Sequence, residues 1–256
     1  MDVKQQNSQK GHIGAIITWI IIALIIIIGG GLLYLNLSKP SPKDALTTAA
    51  KTKINSTRAT IVIKQSKKSS ETLNYELKGN TIHLSNHLVP ENKNQEQETW
   101  ITNDKFYFLN NKKWNYMERT PVTNAFINNS ADTYKRLFTG HDFDKLSTSA
   151  LGQFKVHLDG LNGYRITYKG NNKNVIQDMQ KVISGDNQND NSQIKNIDVT
   201  INTNRQKKLT GYKIYYTFKN GKSTTSMQLD DVNKINSLSL PKEVKAAQKI
   251  ATPNIR

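Results

Sequence analysis

The chain has 256 residues, no cysteine, and 36 basic against 20 acidic side chains, a formal net charge of +16. Without cysteine there is no disulfide, no thiolate metal site, no cysteine nucleophile and no lipidated cysteine. The basic residues are 30 Lys and 6 Arg; specific nucleic-acid readers lean on the bidentate Arg fork, so no nucleic-acid partner is expected.

From Ile13 to Leu37 the chain reads IGAIITWIIIALIIIIGGGLLYLNL, uncharged and bounded by Lys10 and Lys39. Roughly 20 apolar helical residues cross a ~30 Å hydrocarbon core, so this run is read as a single transmembrane helix. A cleaved signal has an apolar core of only about 7 to 15 residues and an A-x-A site; Leu35-Asn36-Leu37-Ser38 offers none. Ile20 to Ile28 is apolar on every face, which disfavours a buried amphipathic helix. Lys4 and Lys10 before the span balance Lys39 and Lys43 after it, so positive charge does not orient it. A short basic tail before a first helix usually stays inside, which places the large domain outside the cell membrane. Gly29 to Gly31 either pack against a partner helix or are tolerated in lipid.

Removing residues 1–38 leaves 34 basic and 19 acidic side chains. Outside a bacterial membrane, anionic head groups and, in a Gram-positive wall, teichoic acids are acidic neighbours for that charge; dispersed Lys is more often simply a solvated face. The expected organisation is a cytoplasmic tail at 1–12, the signal anchor at 13–37, a stalk at 38–43, one extracytoplasmic domain at 44–248 and a flexible tail at 249–256.

Ser41-Pro42-Lys43-Asp44 reads as a helix start, with Ser as cap, Pro in the first turn and an acid facing the dipole; the helix runs from Asp44 to Ile54. From Thr57 the period becomes two. Ile61 and Ile63, then Leu73, Tyr75 and Leu77, then Ile82 and Leu84 form a meander with one apolar face. Residues 89–97 are polar and read as a loop. Strands 99–102, 105–109 and 113–117 follow, with turns at Asn103-Asp104 and Asn110-Asn111, because Asn tolerates positive φ. Between Pro121 and Ser149 apolar residues recur at helical spacing, giving two short helices broken near Thr139-Gly140. Strands around Phe154 to Leu158 and Tyr164 to Tyr168 come next, then a helix from Asn172 to Ile183 with Gly185 beyond its end. Ile197 to Ile201, Tyr212 to Phe218 and Met227 to Leu229 complete the strands, and Pro241 to Gln248 is read as a terminal helix. The fold class is α+β, mainly antiparallel, with about ten strands whose apolar face the helices cover.

No catalytic residues and no metal site are identified, and no cofactor is expected. His83 and His87 lie in a strand context, about 13 Å apart at ~3.3 Å per residue, too far to share an ion. His141-Asp142-Phe143-Asp144 reads as helix capping. No phosphate loop, nucleophile elbow or H-E-x-x-H occurs. What stands out is apolar surface: Tyr75, Trp100, Phe106, Phe108, Trp114, Phe126, Phe138, Tyr212, Tyr216 and Phe218 are the candidate ligand-lining residues. The same residues also read as plain core between sheet and helices, and sequence leaves both readings open.

The helix opening Asp44-Ala45-Leu46, the meander, the hairpin Asn103-Asp104-Lys105-Phe106-Tyr107-Phe108 into Asn110-Asn111-Lys112-Lys113-Trp114, the helical insertion and the closing Leu240-Pro241-Lys242-Glu243-Val244 together resemble the lipoprotein-carrier superfamily (LolA/LppX-like), including its Gram-positive membrane-anchored relatives. The resemblance implies a curved half-barrel sheet around helices, able to hold lipid or a lipid-linked molecule. This chain has the span at 13–37 in place of a lipidated Cys. The expected function is that of a non-enzymatic, single-pass, extracytoplasmic binding protein for a hydrophobic or lipid-linked ligand. The alternative is a basic module, without a cavity, that docks anionic wall polymer or a partner membrane protein.

Overall fold

Ser41 opens the folded domain as the sequence predicts: its Oγ accepts the Asp44 N–H at 3.1 Å, and Pro42 fills the first helical turn. The computed structural model describes residue 21 and residues 39–66, 69–89, 95–139, 142–160, 162–184 and 193–250. The chain divides into two units, Met1–Pro40 and Ser41–Arg256. The predicted tail at 1–12 and, apart from the helical Ile21, the predicted span at 13–37 lie outside the described residues. Among the described residues no helix is long and apolar enough to cross a membrane.

The second unit has a self-contained core, whose members run from Ala45 to Val244. Its helices are α1 (Pro42–Ala50), α2 (Asn124–Thr139), α3 (Thr148–Leu151), α4 (Lys173–Ser184) and α5 (Lys242–Lys245), with a 3-10 turn at Phe143–Lys145. The strands are β1 (Ser56–Lys64), β2 (Ser70–Lys78), β3 (Thr81–Val89), β4 (Gln95–Ile101), β5 (Lys105–Asn110), β6 (Lys113–Glu118), β7 (Lys155–Asp159), β8 (Gly163–Gly170), β9 (Ile194–Asn204), β10 (Leu209–Phe218), β11 (Thr224–Asp230) and β12 (Gln248–Lys249). They form one open sheet in the order β12-β6-β5-β4-β3-β2-β1-β11-β10-β9-β8-β7. Every pairing is antiparallel except β12 on β6.

The sheet is wider than the sequence suggests. Both described ends of the polar stretch 89–97 are strand, Val89 ending β3 and Gln95 to Gln97 opening β4, with Leu88 opposite Gln95 and Asn86 opposite Gln97. Ladder bonds need only backbone, so polar side chains at a sheet end conceal a strand from a periodicity reading. The terminal helix is one turn long, and the chain then pairs with β6 at Gln248 and Lys249. Helix α1 stops at Ala50 instead of Ile54. The β5–β6 turn sits one residue later than expected, at Asn111 and Lys112, both with positive φ (49° and 62°), the geometry a two-residue hairpin turn demands.

Register assigns the faces. Ala59, Tyr75 and Leu84 oppose one another in turn, as do Ile166, Ile201, Tyr212 and Leu229. All are buried in one cluster with Leu46 and Ala49 of α1, Val175 and Met179 of α4, and Phe143. This is the inner, helix-covered face. The outer face carries a second, smaller cluster, in which Val244, Leu238, Leu240 and Ala247 lie on Trp100, Tyr107, Trp114 and Tyr116.

Candidate functional site

The inner face is closed over most of its area and half-open at one end. Ile166, Ile197, Val199, Ile201 and Ile214 are at most 1% exposed. The same face of β1 to β5 ends differently: Ile61, Ile63, Leu73, Leu88, Phe106 and Phe108 are only partly buried. Ile61 opposes Leu73 and Ile63 opposes Glu71, which opposes Leu88, so these side chains adjoin across β1, β2 and β3. On β5, Phe108 opposes Thr99, and Phe106 opposes the buried Ile101 nearer the 102–104 turn, with the two ring centroids 6.0 Å apart. The alternation that identifies the strands already assigns these aliphatics to one face; attention to aromatic side chains passes over them.

Two polar groups interrupt this surface. Asn86 Nδ2 donates to Glu71 Oε1 at 2.9 Å. Asn86 Oδ1 is buried with no hydrogen-bond partner among the described residues, an arrangement that normally costs ~1–3 kcal/mol. A half-buried apolar strip with a few acceptors beside it, referred to below as the trough, suits a molecule with a long hydrocarbon part and a donor-bearing head.

The aromatic candidates divide by place. Tyr75, Tyr212 and Tyr216 are buried core on the inner face, Tyr212 edge-on to Phe143 at 5.9 Å. Burial pushes all three phenols well above the usual tyrosine range. Phe106, Phe108 and Phe218 are half-buried on the inner side, and Phe126 of α2 sits edge-on to Phe106 at 5.4 Å while 51% exposed. The side chain of Phe138 lies outside the described residues. Trp100 and Trp114 do not line the inner face. Ile101 is the inner residue of β4, so Trp100 points outward, and Trp114 is one residue before the inward Asn115, which pairs with Phe108. Both belong to the outer cluster beneath the C-terminal segment.

The outer face also holds the polar network nearest in form to catalytic chemistry. Arg58 Nε and Glu76 Oε1 are 2.8 Å apart, and Arg58 also meets Asp231. His83 lies between Glu76 Oε2 at 3.2 Å and Glu98 Oε1 at 2.8 Å, stacked on Trp100 at 4.1 Å. Burial alone would raise the Glu76 carboxyl, but hydrogen bonds from Arg58 and His83 outweigh it and hold it below the usual range. Arg58, Glu76, His83 and Trp100 are direct cross-strand neighbours, so the network is a ladder tying four strands. Among the described residues no three His, Asp or Glu side chains are placed to hold a metal ion. Elsewhere a recess of about 500 Å³ is lined by Gln153, Lys155, Thr167, Tyr168, Lys169, Asp198 and Thr200.

No family model matches the chain, and no curated protein matches it in sequence. Among solved structures it is similar to LprF from Mycobacterium bovis, at 13% identity over 80% of this chain and 98% of that one, with a TM-score of 0.39. It is also similar to an uncharacterized conserved protein from Thermus thermophilus, at 9% identity over 82% and 99%, TM-score 0.32. A third match is a domain assigned to outer membrane lipoprotein sorting from Vibrio parahaemolyticus, at 9% identity over 80% and 95%, TM-score 0.23.

Proposed function

We propose that the chain is a membrane-anchored, extracytoplasmic binding protein for a hydrophobic or lipid-linked ligand at the bacterial cell envelope, with no catalytic role. One observation carries this reading: the half-buried apolar group Ile61, Ile63, Leu73 and Leu88 at one end of β1 to β3, with Phe108 on β5, on a face whose β8 to β10 centre is sealed. A core that excludes water has no reason to leave such a row open unless something else covers it. The anchor is the uncharged run at 13–37, with the tail before it cytoplasmic. The sheet, on this reading, curves around its ligand as a half-barrel.

The test is native mass spectrometry with solvent extraction on residues 41–256, expressed in a bacterium and purified without detergent. A stoichiometric co-purifying lipid is expected. A bare protein mass, unchanged after incubation with total membrane lipid, overturns the reading.

A second reading has its own observation. The recess at Lys155 and Lys169 is basic, with Asp198 3.5 Å from Lys169 as the neighbouring acid, and it suits docking of anionic wall polymer. That reading predicts binding that weakens steeply with salt and no extractable ligand.

A further inference from the structure

Val122 and Phe126 are large apolar side chains that the fold leaves bare, at 57% and 51% exposure. They stand within about one helical turn of each other at the start of α2, and their position is fixed. Thr123 Oγ1 donates to the Glu118 carbonyl, the Arg119 N–H donates to the Asp104 carbonyl at 2.7 Å, and Arg119 Nη1 reaches Asn124 Oδ1 at 2.9 Å. The start of α2 is thereby pinned to the end of the sheet that carries the 79–80, 102–104 and 204–208 turns. At the other end of α2's described side chains, Lys135 reaches Asn80 Oδ1 in the first of those turns. The helix therefore lies along this end of the sheet.

The folded unit begins at the same end. Asp44, in the first turn of α1, pairs with Lys207 of the 204–208 turn at 2.8 Å. Ser41 is thus near that end, and the uncharged run finishes at Leu37, four residues earlier in the chain. Lys53, Lys78, Lys208 and Lys234 also stand here, together with the acids Asp104, Asp132, Asp159, Asp230 and Asp231.

We infer that this end of the domain, with Val122 and Phe126 as its inserting pair, docks on the surface of an anionic lipid bilayer. Exposed apolar side chains at a helix start, with lysines at the same sheet end, match the interfacial mode of membrane binding, in which apolar groups enter the head-group boundary and cations meet anionic lipid. The edge-on contact of Phe126 with Phe106 ties this surface to β5. Docking goes beyond the ligand-binding reading and stands without it, since the rim meets the bilayer whether or not the trough is loaded.

The experiment exploits the absence of cysteine. Val122→Cys, Phe126→Cys and, as a control in the turn at the opposite sheet end, Lys112→Cys are made in residues 41–256, whose core is self-contained, and each is labelled with an environment-sensitive fluorophore. Vesicles of phosphatidylcholine and phosphatidylglycerol carrying brominated chains serve as quencher. Quenching at 122 and 126 with none at 112 is expected. A Val122→Asp/Phe126→Asp variant is expected to bind the vesicles about tenfold more weakly, with unchanged circular dichroism because both positions are exposed. No vesicle association, equal quenching at all three positions, or undiminished binding by the double variant would overturn the inference.

Discussion

The two halves of the inner face are built from the same alternation yet do different things. Over β8 to β11, side chains such as Ile166, Ile201 and Ile214 are sealed beneath α1, the 3-10 turn and α4, with Leu46, Phe143 and Met179 closing from above. Over the far ends of β1 to β5, Ile61, Ile63, Leu73, Leu88 and Phe108 carry the same pattern and remain half-covered. The difference is a lid and not a change in strand chemistry. Fully buried apolar side chains are concentrated in the sealed half, and half-covered ones in the other, where the proposed ligand would sit.

The largest effect that would break this comparison is on stability. Ile201→Ala removes a wholly buried side chain and is expected to cost about 3–4 kcal/mol, whereas Ile63→Ala should cost about 1 kcal/mol, both read from urea unfolding. Equal losses would mean that the trough is ordinary core.

Gly163→Ala probes the sealed half from its backbone. A Cβ at Gly163 would run into the Thr203 carbonyl oxygen and the Asn204 backbone, where β8 pairs with β9. A loss of about 2–3 kcal/mol is expected, because strand and not flexible side chain must shift. Unfolding that matches the wild type would show that the β8–β9 pairing has slack.

How far sequence alone reaches also divides along these halves. The cap of α1 and the period of α4 are legible: Ser41 caps α1, and Val175, Ile176, Met179 and Val182 are buried as their spacing requires, while the expected end at Gly185 lies outside the described residues. Most strands are visible because each has one apolar face. What is not legible is which layer covers each residue. Trp100 and Trp114 group with the inner aromatics on composition because composition does not record parity; only the pairing of Ile82 with Ile101 and of Phe108 with Asn115 sends them outward. The polar ends of β3 and β4 escape a periodicity reading because their partners are backbone atoms. The Arg58–Glu76–His83–Glu98 ladder spans residues 58 to 98, and no local motif announces it.

Phe108→Ala separates binding from folding. Phe108 is half-buried, so its removal should cost only about 1–2 kcal/mol, below the usual figure for a core aromatic. Co-purifying lipid should fall at least severalfold by solvent extraction. Retained lipid with a large stability loss would assign Phe108 to the core and move the ligand elsewhere.

The smallest effect concerns acid and the outer face. Hydrogen bonds from Arg58 and His83 hold Glu76 below the usual carboxylate range against the upward push of burial. A carboxyl whose pKa is lower folded than unfolded adds stability above its unfolded value of about 4.3, and that contribution fades as pH falls through the folded value. Glu76 is partly open to solvent and Arg58 largely so, so the gain is small. Glu76→Gln should therefore lower stability slightly at neutral pH and flatten the decline below about pH 4.5, as measured by thermal melts across the acid range. Because the ladder ties β1 to β4 from behind the trough, the same variant should also loosen the half-open side. Hydrogen exchange faster in β2 and β3 than in β8 and β9 would show that loosening; a uniform change would mean that the outer ladder and the trough are independent.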